Sequence, residues 1–74
     1  MAKTQKATKA QTAFLKWISD EGPASIFGRM PRGVGFATAE SCLSRGWVAY
    51  APGMGMREIT PAGRAALEEA KGDA

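Results

Sequence analysis

The chain has 74 residues, 45% of them hydrophobic, and a formal net charge of +3. This length allows one compact domain and excludes a second, and the hydrophobic fraction is typical of a globular protein. No apolar stretch approaches the roughly 18 to 20 residues that cross a bilayer. The basic N-terminus is not followed by the apolar segment of a secretion signal. We therefore expect a soluble, cytoplasmic protein without membrane contacts.

The composition also argues against catalytic and metal chemistry. The sequence has no histidine, which is the commonest general base and transition-metal ligand, and only one cysteine, Cys42. A single cysteine excludes an intramolecular disulfide and a cysteine-based zinc site. The short run Gly33-Val34-Gly35 does not follow a strand and is too short for a nucleotide-binding loop. We expect no enzyme, no metal and no cofactor.

The N-terminal part of the chain predicts a basic arm followed by a helix. Residues 1–7 lack periodicity and are expected to form a flexible arm. From Thr8, a threonine that can cap a helix, a 3.6-residue period indicates one buried face that ends near Gly22. Leu15 lies off this face and is either a stray exposed leucine or part of a dimer seam with the C-terminal helix. The predicted buried positions are Ala10, Ala13, Phe14, Trp17 and Ile18.

Two further helices are predicted in the middle of the chain. Residues 24–30 indicate a short second helix that is stopped by Pro31, after which Phe36 is expected to fill the core. A third helix is predicted over residues 37–45, closed by Gly46. Its inner side would carry Ala39, Cys42 and Leu43, and its outer face and flanks Ala37, Thr38, Glu40, Ser41, Ser44 and Arg45.

The remaining residues predict a hairpin and a fourth helix. Residues 47–50 and 57–60 are suited to strands, and the glycines and Pro52 between them favour a turn. Thr60-Pro61 is typical of a helix start, with an inner stripe of Ala62, Ala66, Leu67 and Ala70. The predicted fold class is mostly α with a small β-hairpin: three helices, the hairpin and a C-terminal helix, as one domain over 8–71 with a flexible tail at 72–74.

This order of elements resembles a known family in the second half of the chain, residues 38–70. The run Leu43-Ser44-Arg45-Gly46-Trp47-Val48, a glycine-containing hairpin, and Ile59-Thr60-Pro61-Ala62-Gly63 together resemble the winged helix-turn-helix regulators of the MarR and PadR type. The resemblance implies that the third helix reads duplex DNA in a major groove and that the hairpin, as the wing, contacts a neighbouring groove or phosphate. The implied groove contacts are Thr38, Ser41, Ser44 and Arg45, and the implied wing contacts are Met54, Gly55, Met56 and Arg57.

Two features depart from the family and keep a second hypothesis open. Full regulators of this type are longer and carry dimerisation helices, and their reading helices usually hold more basic or amide side chains. Glu40 near the reading face would repel phosphates unless it accepts a hydrogen bond from a cytosine amino group. The alternative is a winged helix that binds a protein, such as a phage or mobile-element product that binds a host protein. A continuous positive strip that joins the arm from Lys3 to Lys9 with Arg29, Arg32, Arg45 and Arg57 would favour DNA, whereas arginines separated by Glu40 and Glu58 would favour a protein.

Overall fold

A computed structural model describes residues 7–72, so that the predicted arm (apart from Ala7) and the last two residues of the predicted tail lie outside the described range. Among the described residues, no helix combines the length and the apolar character that spanning a bilayer requires. The elements in chain order are α1 (Lys9–Glu21), β1 (Ala24–Ser25), α2 (Phe36–Ser44), β2 (Val48–Tyr50), β3 (Met56–Ile59) and α3 (Pro61–Gly72).

Helix α1 forms where the period predicted it, but its buried face is rotated. Thr8 caps the helix as expected, and Gly22 ends it with a φ of 78°. The buried side chains are Gln11, Phe14, Leu15 and Ile18. Leu15 is fully buried, so the expectation that it is exposed or lies in a dimer seam was wrong. The predicted face included Ala10 and Ala13, whose small side chains bury little apolar area. Burying the large side chain of Leu15 removes more apolar area from water and is therefore more favourable.

The predicted second helix over residues 24–30 does not form. Ala24 and Ser25 instead pair with β3 as a short antiparallel strand, β1. The amide of Ile26 then donates to the carbonyl of Gly55 at 2.9 Å, which continues the pairing to the end of the hairpin. Residues 26–35 form an irregular loop with two turns, since Gly28 and Pro31 leave no uninterrupted stretch long enough for a helix.

The third predicted helix is present as α2, shifted by one residue towards the N-terminus. Ala39 and Cys42 are fully buried and Leu43 packs against the core, as expected. Phe36, by contrast, is 54% exposed, so its prediction as a core residue was wrong. It is the first residue of α2 and lies one turn before Ala39 on the same side of the helix, but its ring packs edge to face on the exposed ring of Phe27 and not in the core.

The predicted hairpin is confirmed as β2 and β3, with Val48 opposite Ile59 and Tyr50 opposite Arg57. β1 adds to the other side of β3, which gives an antiparallel sheet in the order β1-β3-β2. Side chains alternate between the two faces of a strand. Arg57 therefore points towards the helices, and Glu58 points to solvent.

Thr60 joins the end of α2 to the start of α3. Its hydroxyl accepts from the amide of Gly63 at 3.0 Å, and it donates to the carbonyl of Gly46 at 2.6 Å. Gly46 has a φ of 78°, the left-handed conformation that the sharp exit from α2 was predicted to need. Gly63 and Leu67 are buried in α3, while Ala62 is exposed, so Ala62 was wrongly placed on the inner stripe.

The core lies between α1 and the elements packed around it, namely α2, α3 and the sheet. The fold is therefore mostly helical with a small three-stranded antiparallel sheet, and its described part has three helices where four were predicted. The buried hydrophobic residues are Phe14, Leu15, Ile18, Ile26, Ala39, Cys42, Trp47, Val48 and Leu67, and Trp17 packs against them half-buried.

Candidate nucleic-acid interface

The outer face of α2 is where the sequence placed DNA contacts, and the structure divides those residues into two groups. Ser44 and Arg45 are exposed at the C-terminal end of the helix, as a contact surface requires. Thr38 and Ser41 are only half-exposed. The other exposed residues of α2 are Phe36, Ala37 and Glu40.

Ser41 holds α2 against α1 through a hydrogen-bond network. Gln11 uses its carbonyl to accept from the Thr8 amide at 2.8 Å, which completes a capping box at the start of α1. The amide nitrogen of the same side chain donates to the Ser41 hydroxyl at 2.8 Å, and Ser41 in turn donates to the Thr38 carbonyl at 3.0 Å. The Ser41 hydroxyl thus serves helix packing. The spacing Thr8-x-x-Gln11 is the capping-box signal that would have identified Gln11 in the sequence.

Arg45 lies directly after the last residue of α2, with its guanidinium 5.3 Å from the ring centre of Trp47. A cation at this position is favoured by the helix dipole, and the planar group of arginine also stacks favourably on an aromatic ring. The contact with Trp47 orients the Arg45 side chain while the residue stays exposed. Together with Ser44, it forms the polar end of α2.

Arg57 does not form the exposed wing contact that the sequence predicted, because only 6% of the residue is exposed. Its guanidinium lies 4.6 Å from the ring centre of Tyr50 and 3.7 Å from the carboxylate of Glu40. One of its terminal nitrogens donates to the Met56 carbonyl at 3.2 Å, while the buried Nε has no hydrogen-bond partner. Arg57 is buried because it lies on the inner face of the central strand. The predicted positive strip is therefore interrupted at Arg57 and Glu40.

The other predicted cations lie before α2. Lys9 and Arg32 line the same open groove of about 420 Å³, together with Ala10, Ala13 and Gly33. Arg29, exposed, lies in the same loop as Arg32. Exposed positive charge is thus present at the start of α1 and in the loop 26–35.

The hairpin tip carries the methionine and glycine that were expected there, whereas the expected wing cation, Arg57, is buried. Met54 is 84% exposed, and Gly53 and Gly55 have positive φ values of 116° and 69°. The tip is held in place by Ser25, whose hydroxyl donates to the Met54 carbonyl at 3.2 Å. A methionine side chain adapts to irregular surfaces, and this one is available to a binding partner.

An exposed aromatic pair next to the hairpin was missed by the sequence analysis. Phe27 and Phe36 are 61% and 54% exposed, and their rings meet edge to face with centres 5.7 Å apart. Phe27 had been placed in the predicted second helix, and Phe36 in the core beside the turn that follows it. Only the failure of the second helix to form puts them on the surface.

Cys42 is buried within α2 and is unsuited to nucleophilic or redox chemistry. Burial raises the pKa of its thiol to about 11, although the charge of Arg45 and a hydrogen bond with Ser41 act in the opposite direction. The thiol is therefore protonated at neutral pH and behaves as a small apolar group. Over residues 7–72, no group of three or more metal-binding side chains comes together.

Comparison of the chain with protein families, with curated protein sequences and with solved structures gives no significant match. The functional interpretation therefore depends on the geometry described above.

Proposed function

We propose that the protein is a small winged-helix DNA-binding protein that regulates transcription, with α2 as the reading helix and the β2–β3 hairpin as the wing. The observation that carries the proposal is the order of elements together with the sheet order β1-β3-β2. This arrangement places an exposed helix directly before a hairpin, which is how winged helices present two elements to adjacent grooves. The loop 26–35 takes the place of the usual second helix.

The C-terminal end of α2 supplies the groups for base contacts. Ser44 and Arg45 are exposed there, and the small Ala37 on the exposed face allows close approach to a groove. Arginine binds guanine edges through two parallel hydrogen bonds. Glu40 is the obstacle on this face, and its carboxylate lies 3.7 Å from the guanidinium of Arg57, which reduces its repulsion of phosphates.

Lys9, Arg29 and Arg32 are proposed as the phosphate contacts. All three are exposed, and two of them line one groove beside the N-terminal part of the fold. Cations of this kind supply the sequence-independent and salt-dependent part of DNA affinity.

A titration with a blunt DNA duplex at low salt, followed by anisotropy and by amide chemical shifts, tests the proposal. We expect shifts in α2 and the hairpin, and an affinity that falls steeply with added salt. Arg45→Ala should weaken binding at least fivefold. Arg64→Ala on α3 removes the same charge from a different exposed surface and is the matched control, with an effect below twofold. The absence of any shift in α2 would contradict the proposal.

A protein partner is the second candidate function, and it is favoured by the interruption of the positive strip at Arg57 and Glu40 and by the hairpin tip. Met54 is the most exposed of the large hydrophobic residues in the described range, and the neighbouring helix carries Glu40 and the small Ala37. An exposed acid, a small apolar residue and a methionine suit a protein surface better than a phosphate backbone. Under this hypothesis, Met54→Asp abolishes a stoichiometric complex that contains no nucleic acid, and Arg45→Ala leaves that complex intact.

A further inference from the structure

The loop that replaces the predicted second helix has an unusual composition at its surface. Phe27 lies near its start and Phe36 directly follows its end, and the exposed residues Arg29 and Arg32 lie between them. No aspartate or glutamate occurs between Glu21 and Glu40 in the sequence. The segment therefore combines two exposed aromatic rings with two cations and no intervening acid.

The two rings form a fixed platform rather than a pair of loose side chains. Phe27 lies directly against Gly55 of the hairpin, where a Cβ would come within 2.5 Å of the ring. The amide of Phe27 donates to the Ser25 hydroxyl at 3.1 Å, and that hydroxyl donates to the Met54 carbonyl. Phe36 is held by α2. The angle of 85° between the rings places an edge against a face, so that more than half of each residue stays exposed.

Exposed rings with cations in the same segment of the chain match the requirements of single-stranded nucleic acid. Unpaired bases stack on aromatic side chains while cations follow the phosphate backbone. Lys9 lines a groove with Arg32, so the row of cations continues from the loop to the start of α1. Glu40 follows Phe36 by one helical turn, and it is already paired with Arg57.

The geometry points to an aromatic platform beside the proposed duplex surface, on which Phe27 and Phe36 stack unpaired bases of single-stranded DNA. Arg29, Arg32 and Lys9, the cations already proposed for the duplex, would bind the phosphates where the two kinds of DNA meet. The choice of DNA over RNA rests on the proposed function, whereas the stacking itself rests on the exposed rings and their cations. The protein would then bind a site at which duplex and single-stranded DNA meet, with α2 on the duplex and the aromatic platform on the unpaired strand.

A second copy of the chain fits this surface less well. Two exposed phenylalanines and one methionine offer a few hundred Å² of apolar area, whereas a stable dimer buries roughly 800 Å² on each partner. In a two-fold dimer, Arg29 and Arg32 of each copy would lie close to the same cations of the other. Such like charges repel, and the segment carries no acid that would compensate them.

The test is a fluorescence-anisotropy titration of the full chain with labelled oligo(dT) of about 12 nucleotides, a length within the site sizes of such surfaces. Phe36→Leu keeps an apolar side chain but lacks a planar ring, and we expect about tenfold weaker binding, as for the loss of one stacked base. Phe36→Tyr keeps the ring and should bind like the parent. Phe27→Leu should act like Phe36→Leu. Tyr50→Leu removes another exposed aromatic residue outside the loop and should have no effect.

Several results would overturn the inference. The first is that the parent does not bind oligo(dT) at low salt, although the parent and the variants have the same melting temperature. The second is that the parent and Phe36→Leu bind oligo(dT) with equal affinity. The third is that the parent binds oligo(U) more tightly than oligo(dT). A monomer–dimer equilibrium that Phe27→Leu abolishes in sedimentation would assign the surface to a second copy instead.

A blunt duplex in the same titration separates the two proposals. If the protein binds oligo(dT) but not the duplex, only the proposed duplex surface is contradicted. If it binds the duplex but not oligo(dT), only the aromatic platform is contradicted.

Discussion

The guanidinium of Arg57 lies 3.7 Å from the carboxylate of Glu40, so that an ion pair joins the central strand of the sheet to α2. The two partners are unequal, since the Arg57 side chain is 8% exposed and that of Glu40 is 61% exposed. The pair fixes how the hairpin sits beside the exposed helix. It also leaves the hairpin without its expected surface cation.

Removing the carboxylate of Glu40 should lower the free energy of unfolding more than replacing Arg57 with an apolar residue. Glu40→Ala leaves the buried charge of Arg57 without its counter-ion, and we expect a loss of about 1 kcal/mol in the free energy of unfolding, limited by the exposure of Glu40. Arg57→Met removes the charge together with the unpartnered Nε, and its effect should be smaller. Urea denaturation measures both. A larger loss for Arg57→Met than for Glu40→Ala would contradict this account.

The side chain of Gln11 should be more important for stability than a polar residue on a helix surface. It completes the cap of α1 and donates to Ser41, so Gln11→Ala removes two interactions and should cost about 2 kcal/mol. Ser41→Ala removes one of them and should cost about 1 kcal/mol. The double variant should be less destabilised than the sum of the two, because both changes remove the same hydrogen bond. Strict additivity in thermal or urea unfolding would show that this bond makes no contribution.

Gly63 should not tolerate a side chain. A Cβ at this position would lie 2.9 Å from the carbonyl carbon of Trp47 and 2.8 Å from the side chain of Ile59. Gly63→Ala should therefore destabilise the protein by about 2 to 3 kcal/mol, despite the better helix propensity of alanine. Gly35→Ala is the control, because no atom lies within 4 Å of its Cβ position, and its effect should be below about 1 kcal/mol. Similar melting temperatures for the two variants would refute the close packing of α3.

Cys42 should make the protein less stable at alkaline pH. Burial raises the pKa of its thiol from 9.0 to about 11 in the folded state. Above pH 9 the unfolded chain releases this proton and the folded chain keeps it, so the stability falls as the pH rises towards 11. The slope from this group approaches about 1.4 kcal/mol for each pH unit. Cys42→Ala lacks this contribution, and the difference between the parent and the variant isolates it from other groups. A pH-independent difference between pH 8 and 11 would contradict the burial of the thiol.

Much of the fold was predictable because its signals are local. Helix α1 begins after Thr8 and ends at Gly22, Gly46 allows the sharp turn that follows α2, and Thr60-Pro61 starts α3. A few neighbouring residues are enough to specify the backbone geometry at each of these points. The hairpin follows from strand-forming residues on both sides of a glycine-rich turn. These elements need little information from the rest of the chain.

The candidate site was less predictable, since it depends on which surface each side chain finally occupies. Arg57 was expected on the surface, and pairing with β1 and β2 on both sides places it in the central strand, under Tyr50 and beside Glu40. Ser41 was expected to face a ligand, and packing of α1 against α2 engages it with Gln11. Both outcomes come from contacts between residues far apart in the sequence.

By itself, the sequence determined two long helices, a turn-linked hairpin and the caps that delimit them, because capping and turn chemistry act over three or four residues. Only the tertiary structure decided that residues 24–30 form an edge strand and a loop rather than a helix, since the hydrogen bonds that hold this segment are supplied by β3 and Gly55. That choice placed Phe27 and Phe36 on the surface, because a side chain is buried only where another element is available to cover it.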